Sequence, residues 1–332
     1  MALFVVMCAS AGPPFTAARA QSTAAPAAAP AQPLSVVVTI KPVHALAAAV
    51  LGDVATPHLL IEGAASPHAF ALKPSHVRRL NEAQAVIMVS DELETFMGRV
   101  RAALPASVKV LELDGVAGLT RLPVRTGGLF EAHDDDHAGH AHASKAAKPG
   151  SAPEHAGHGG MDPHLWLDPE NAKVILRFLT AELSALSPTH AETFERNARA
   201  MADRIDRVSQ EIAGELQPLA TKPFIVFHDA YQYFEHRYGL SAVGSITLNP
   251  EVQPGARRLT ALRNRMIAGG AVCVFAEPQF EPKIIATLVA GTKVRKGTLD
   301  PIGVALPAGP DAYEGLLRGL ASELRTCLGG TS

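Results

Sequence analysis

With 332 residues, 47% of them hydrophobic, the chain has material for two ordinary domains with packed cores. Its formal charge of −2 at pH 7 offers no basic footprint for nucleic acid and no polybasic segment for a membrane surface. No apolar run approaches the ~20 residues of a membrane span.

The first elements read as a processing segment. The apolar run Leu3-Phe4-Val5-Val6-Met7 precedes small residues ending Ala18-Arg19-Ala20, an A-x-A cleavage pattern with Gln21 as mature start. Residues 1–20 are therefore expected to be a signal peptide, although its positively charged n-region is missing. The stretch 21–33, rich in Ala and Pro, is expected to be a flexible lead-in. Cys8 would leave with the signal, and Met7 sits where a lipoprotein signal places a small residue. Cys273 and Cys327 remain, an even pair that in an exported chain is either a disulfide or two buried thiols.

Strands and helices then alternate. Leu34–Ile40, Thr56–Ile61, Ala85–Val89 and Val108–Leu111 have strand length and composition. Helices are expected over Val43–Leu51, Ser75–Glu82 and Glu92–Ala103. Asp168 is a candidate N-cap with Pro169 at the first helical position of another. Ser187-Pro188 opens a second long helix. Its apolar positions Phe194, Ala198, Met201, Ile205, Val208, Ile212, Leu216 and Leu219 alternate three and four apart, one helical stripe. Run over 188–219, this helix would be ~48 Å long.

The alternation resumes with strands at Pro223–Phe227, Leu240–Gly244, Ala271–Ala276 and Lys293–Leu299. Helices are expected over Ala230–Tyr238, Gly255–Ala268, Pro282–Gly291 and Ala312–Cys327. Strands separated by helices predict parallel sheets covered by helices. The expected organisation is an α/β fold of two lobes: an N-terminal lobe over 34–187, a bridging helix over 188–219 and a C-terminal lobe over 220–332.

One segment fits neither lobe. Residues 131–160 hold His133, His137, His140, His142, His155 and His158, six of the fourteen histidines, beside Asp134, Asp135 and Asp136. Such a composition cannot bury enough apolar surface to offset its ordering entropy, so a disordered acidic loop is expected. Neutral imidazole and carboxylate are ligands for borderline divalent metals, which makes the loop an auxiliary weak metal site.

Three other histidines follow or end predicted strands or enter a helix, where α/β sheets place ligand sites. His68 closes Gly63-Ala64-Ala65-Ser66-Pro67-His68, His164 lies in Met161-Asp162-Pro163-His164-Leu165-Trp166-Leu167, and His228 precedes Asp229-Ala230-Tyr231. Asp300 ends the last strand. Taken singly, each is more often a satisfied structural residue; taken together, they come from both lobes and could converge on one cleft. Glu277, after a strand, would either orient a ligand imidazole or cap a helix. His44, His58, His76 and His190 read as surface or capping residues, and His236 as solvated. No nucleophile elbow, phosphate loop or H-E-x-x-H helix appears, and no general base accompanies the triad, so an enzyme is not expected.

On these motifs, together with Asn249-Pro250-Glu251-Val252-Gln253-Pro254-Gly255, Phe275-Ala276-Glu277-Pro278-Gln279-Phe280 and Gly297-Thr298-Leu299-Asp300-Pro301, the chain resembles the periplasmic zinc-binding proteins of bacterial zinc ABC importers. These belong to the metal-binding cluster of solute-binding proteins, and the resemblance covers nearly all of residues 34 to 328. It implies two α/β lobes joined by a long helix, with the metal between them. It implies His68, His164 and His228 as ligands, an acidic His-rich loop before the second of them, and a Cys273–Cys327 disulfide. Some members carry a ligating Glu directly before the first His; here that residue is Pro67. The fourth ligand is then Asp300, which matches a carboxylate ligand of related binders, or water. The expected function is periplasmic capture of Zn²⁺ as transported ligand, by a monomer, for an inner-membrane permease. The alternatives are a manganese or iron receptor of the same fold, or a periplasmic zinc buffer.

Overall fold

A computed structural model describes residues 1–2, 34–126, 130, 160–247, 250–251, 253–280 and 283–330. Most of the expected signal peptide, the lead-in, and all six histidines of the acidic loop lie outside these residues.

Among the described residues, eight strands form two sheets of four. The first contains β1 (Val36–Val38), β2 (His58–Leu59), β3 (Ala85–Met88) and β4 (Lys109–Glu112), in the order β2-β1-β3-β4. The second contains β5 (Phe224–His228), β6 (Ala242–Thr247), β7 (Cys273–Ala276) and β8 (Arg295–Thr298), in the matching order β6-β5-β7-β8. Every pairing is parallel. In each sheet the order reverses beside the strand that comes first in the chain. The crevice at the carboxyl ends of β5 and β7 is therefore a topological switch point, where open α/β sheets bind ligands.

Side-chain alternation explains how the sheets pack. Val36 and Val38 of β1 face one core and Val37 another. Phe224 and Val226 of β5 join the same first core, while Ile225 and Phe227 turn outward. Successive residues of a strand point to opposite faces, so each sheet has an inner and an outer apolar side. The inner sides belong to one continuous cluster running from Leu34 to Leu328. The two halves thus share their main core.

Helix α5 (Ala191–Leu216) runs through that shared core. All eight residues of its expected stripe, from Phe194 to Leu219, are buried. The α-helix is shorter than expected, because Pro188–His190 and Gln217–Leu219 form tighter 3₁₀ turns at its ends. At 1.5 Å per residue it spans about 39 Å. Helix α4 (Pro169–Leu186) lies against it, opened by Asp168, whose carboxylate accepts the Glu170 N–H.

The C-terminal helix α9 (Ala312–Gly329) packs on α5, on α1 (Lys41–Leu51) and on β8. It therefore seals the core between the halves as well as closing the second sheet. The bond between Cys273 of β7 and Cys327 of α9 fixes it there, with Cα atoms 6.1 Å apart. Closing that loop contributes about 4 kcal/mol in the chain-entropy account.

Two expectations are corrected. The helix expected over Glu92–Ala103 is only α3 (Met97–Arg101). Glu94 is buried and turns back to accept the Val89 and Ser90 N–H groups and the Thr39 hydroxyl, which holds 89–94 as a turn. His44, expected at the surface, is buried in α1 with Nε2 3.0 Å from the Pro57 carbonyl. Helix α1 is apolar on nearly every side, so the imidazole is carried inward with it. His76 and His190 do serve as local caps, to the Lys73 N–H and the Ser187 hydroxyl.

Candidate metal centre

His68, His164 and His228 converge. Each offers a ring nitrogen, and these nitrogens lie within 4.8 Å of one another. Among the described residues this is the one such group of three or more metal-binding side chains. Ring centroids are 5.5 Å apart for His68–His164, 5.7 Å for His68–His228 and 5.1 Å for His164–His228. The Nε2 atoms of His164 and His228 are 3.3 Å apart. Zinc–nitrogen bonds of ~2.0–2.1 Å at tetrahedral angles give a nitrogen–nitrogen edge of ~3.3 Å, so two corners of the shell already have their spacing.

Each ring is positioned differently. His228 is the last residue of β5, at the switch point. Glu277, just past β7, receives its Nδ1–H at 2.7 and 2.8 Å. His164 follows the stem of the acidic loop. Its backbone N–H and its Nδ1–H both go to Asp162 Oδ1, at 2.9 and 2.7 Å. Binding Nδ1–H to carboxylate selects the tautomer that leaves the Nε2 lone pair free for a metal. His68 lies in a 3₁₀ turn opened by Ser66, whose hydroxyl accepts the His68 N–H at 3.3 Å. Thr95 donates to the His68 carbonyl. His68 is partly exposed, whereas His164 and His228 are buried.

The electrostatics favour the neutral form at two of the three rings. Burial, then the neighbouring rings, push the His68 imidazole down to about 2. Burial and His228 hold His164 well below its ordinary value. His228 differs: burial opposes its charge, but Glu277, with Asp229 and Asp162, outweighs that and raises it. Burial pushes Asp162 up to about 7, and its Oδ2 has no partner among the described residues. A hollow of about 310 Å³ reaches the three rings and is lined as well by Glu92, Thr95, Met161 and Asp229.

Asp300 is not brought into this group. Its carboxylate accepts the backbone N–H groups of Ile302, Gly303 and Val304, at 3.2, 2.9 and 2.5 Å, and the Gln279 amide at 3.3 Å. The buried Lys41 ammonium grips the same turn from the other half, donating to the carbonyls of Gly303, Val304 and Leu306. In the structure Asp300 shapes a turn that joins the halves. Pro67 offers no side-chain ligand. The orienting role of Asp162 escaped the sequence reading; a carboxylate two residues before a candidate ligand was the available signal.

Two parallel-sheet halves around a shared core, with three imidazoles converging at a switch point, make an α/β protein with a candidate metal centre. Residues 36–327 match the family described as zinc-uptake complex component A, periplasmic. The chain belongs to that family. It is 44% identical over 306 residues to the high-affinity zinc uptake system protein ZnuA of Brucella abortus (strain 2308), covering 88% of this chain and 91% of the relative. Against the same-named protein of Yersinia pestis the identity is 37% over 294 residues, covering 89% and 91%. A crystal structure of ZnuA matches the fold with a TM-score of 0.71 at 25% identity, over 89% of this chain and 99% of that one.

Proposed function

We propose that this chain captures Zn²⁺ in the periplasm and delivers it to an inner-membrane zinc ABC permease. His68, His164 and His228 bind the ion through Nε2, and water fills the fourth position. The observation that carries this reading is the convergence of three imidazoles, two of them backed by buried carboxylates. Engagement of Asp300 by three backbone amides supports water over carboxylate as the fourth ligand. Capture needs no covalent chemistry, and the chain acts as a receptor and not an enzyme. Among the described residues no helix is long and apolar enough to cross a membrane.

The donor set also chooses the metal. Neutral imidazoles suit zinc, and the divalent affinity order places Mn²⁺ well below it, whereas manganese sites lean toward carboxylate and water. In a competition titration of metal-free protein, Zn²⁺ is expected to displace Mn²⁺ completely at equal concentrations. Displacement of Zn²⁺ by Mn²⁺ would overturn the reading in favour of a manganese receptor.

The acidic loop serves the same function at lower affinity. His133, His137, His140, His142, His155 and His158 collect zinc near the tight site. Binding there must also offset the cost of ordering the chain. Deleting residues 131–159 should lower the zinc stoichiometry seen by native mass spectrometry. The tightest dissociation constant should stay within about tenfold, or ~1.4 kcal/mol. Loss of the tight phase would mean that the loop supplies a primary ligand.

A further inference from the structure

We propose that Arg125 is a positioning residue that fixes the two buried zinc ligands relative to each other and so sets how slowly zinc leaves. The inference rests on the zinc site proposed above. Arg125 belongs to the first half of the chain, and both its partners belong to the second. Its Nε lies 3.0 Å from each Asp229 oxygen, and its Nη2 also reaches Asp229. Nη1 and Nη2 donate to the two Glu235 oxygens at 2.8 and 3.0 Å. Side-chain exposure is 18% for Arg125, 9% for Asp229 and 5% for Glu235, so this three-charge cluster is largely withdrawn from water.

The partners on either side explain its reach. Asp229 is the residue after His228. Arg125 continues a short arm whose backbone pairs with the segment leading into His164. The Val124 N–H meets the Gly160 carbonyl at 3.0 Å, and the Asp162 N–H meets the Leu122 carbonyl at 2.8 Å. Asp162 then holds the His164 ring. Tyr233, on the same helix as Glu235, reinforces the arm, accepting from the Leu122 N–H and donating to the Asp162 carbonyl. A path of alternating chain neighbours and hydrogen bonds thus runs from His228, through Asp229, Arg125 and the arm, to Asp162 and His164. Only a planar guanidinium has the donors to grip both carboxylates side by side; an ammonium in its place keeps the charge but cannot span the pair. Without Arg125, two buried carboxylates face each other and the arm loses its anchor.

The test uses the full chain, with zinc dissociation followed by stopped-flow mixing with excess chelator and ligand geometry followed by visible absorption of the Co²⁺ form. Arg125→Lys and Arg125→Ala should each release zinc at least about tenfold faster, within the range found for residues that orient ligands, and both should change the Co²⁺ spectrum. Arg204→Ala, which breaks ion pairs from α5 to Asp311 and Glu314 of α9, should lower the melting temperature and leave both readouts unchanged. If Arg125→Ala does not fold, Arg125→Lys decides. Release within twofold of the natural chain and an unaltered Co²⁺ spectrum, in a folded Arg125 variant, would overturn the proposal. Absence of tight zinc in the natural chain would overturn the site reading itself, and this inference with it.

Discussion

Replacing His164 or His228 with Ala should weaken zinc binding by at least about a thousandfold, or ~4.1 kcal/mol. The loss has two sources. One zinc–nitrogen bond disappears, and a carboxylate is left without the ring it held. Asp162 and Glu277 are both buried, and Glu277 is only 1% exposed at its side chain. An orphaned buried carboxylate must be neutralised or rehydrated. Among the described residues no carboxylate backs the His68 ring, and His68 is partly exposed, so water can take its place more readily. His68→Ala should therefore cost less, about a hundredfold, or ~2.7 kcal/mol. Competition calorimetry against a zinc chelator measures all three. Unchanged affinity in all three variants would sink the site, and equal losses would sink the ranking.

The second large effect concerns Glu277 and pH. In the proposed site zinc binds the neutral form of His228, and protons compete for the same Nε2. Burial acts against the charged ring, but Glu277 outweighs it and raises His228 above its ordinary value. Below that raised value the free protein holds a proton that zinc must displace. Affinity should thus fall as pH falls, by up to tenfold per pH unit for this one proton. Glu277→Gln removes the negative charge, so His228 protonates only at lower pH, and the acid-side decline should begin later. At neutral pH and above the same variant should bind zinc about 10–100-fold more weakly, because the ring loses its strongest acceptor and orienting partner. The two pH profiles should therefore converge toward acid. Parallel profiles would show that Glu277 does not govern the ring.

Much of this was readable in the sequence, because the controlling forces are local or periodic. The stripe from Phe194 to Leu219 needs only helical geometry, and every one of its residues is buried. All eight strands were found at the right places but with wrong ends: Leu34–Ile40 and Thr56–Ile61 were drawn four residues too long, and Leu240–Gly244 stopped short of Thr247, because strand ends are decided by pairing partners far away in the chain. Long-range contacts account for the two corrections, at Glu92–Ala103 and His44. Nothing near Glu94 announces that Thr39 will donate to it from 55 residues away. His44 reads as polar until the burial of α1 on all sides is seen. Asp300 was expected, through the resemblance, as the fourth ligand, with water as the alternative. Its carboxylate accepts three nearby backbone amides, a local turn geometry open to an Asp before Pro. The ring partners divided similarly. Glu277 was noticed because it follows a strand, whereas Asp162 lay inside a quoted motif without being assigned a task.

The position of α9 sets an order of events during synthesis. His68, His164 and His228 are all made before residues 312–329. Yet the turn that carries His164 also carries Trp166, whose carbonyl accepts the Tyr313 hydroxyl of α9 at 2.8 Å. The apolar side of α5, already met by α1 and α4, likewise stays incompletely covered until Leu316, Leu317, Leu320 and Leu324 arrive. A nascent chain therefore owns every imidazole long before it owns their arrangement. Its hold on zinc is therefore expected to mature late, and a chain truncated ahead of α9 should carry the three imidazoles without their arrangement.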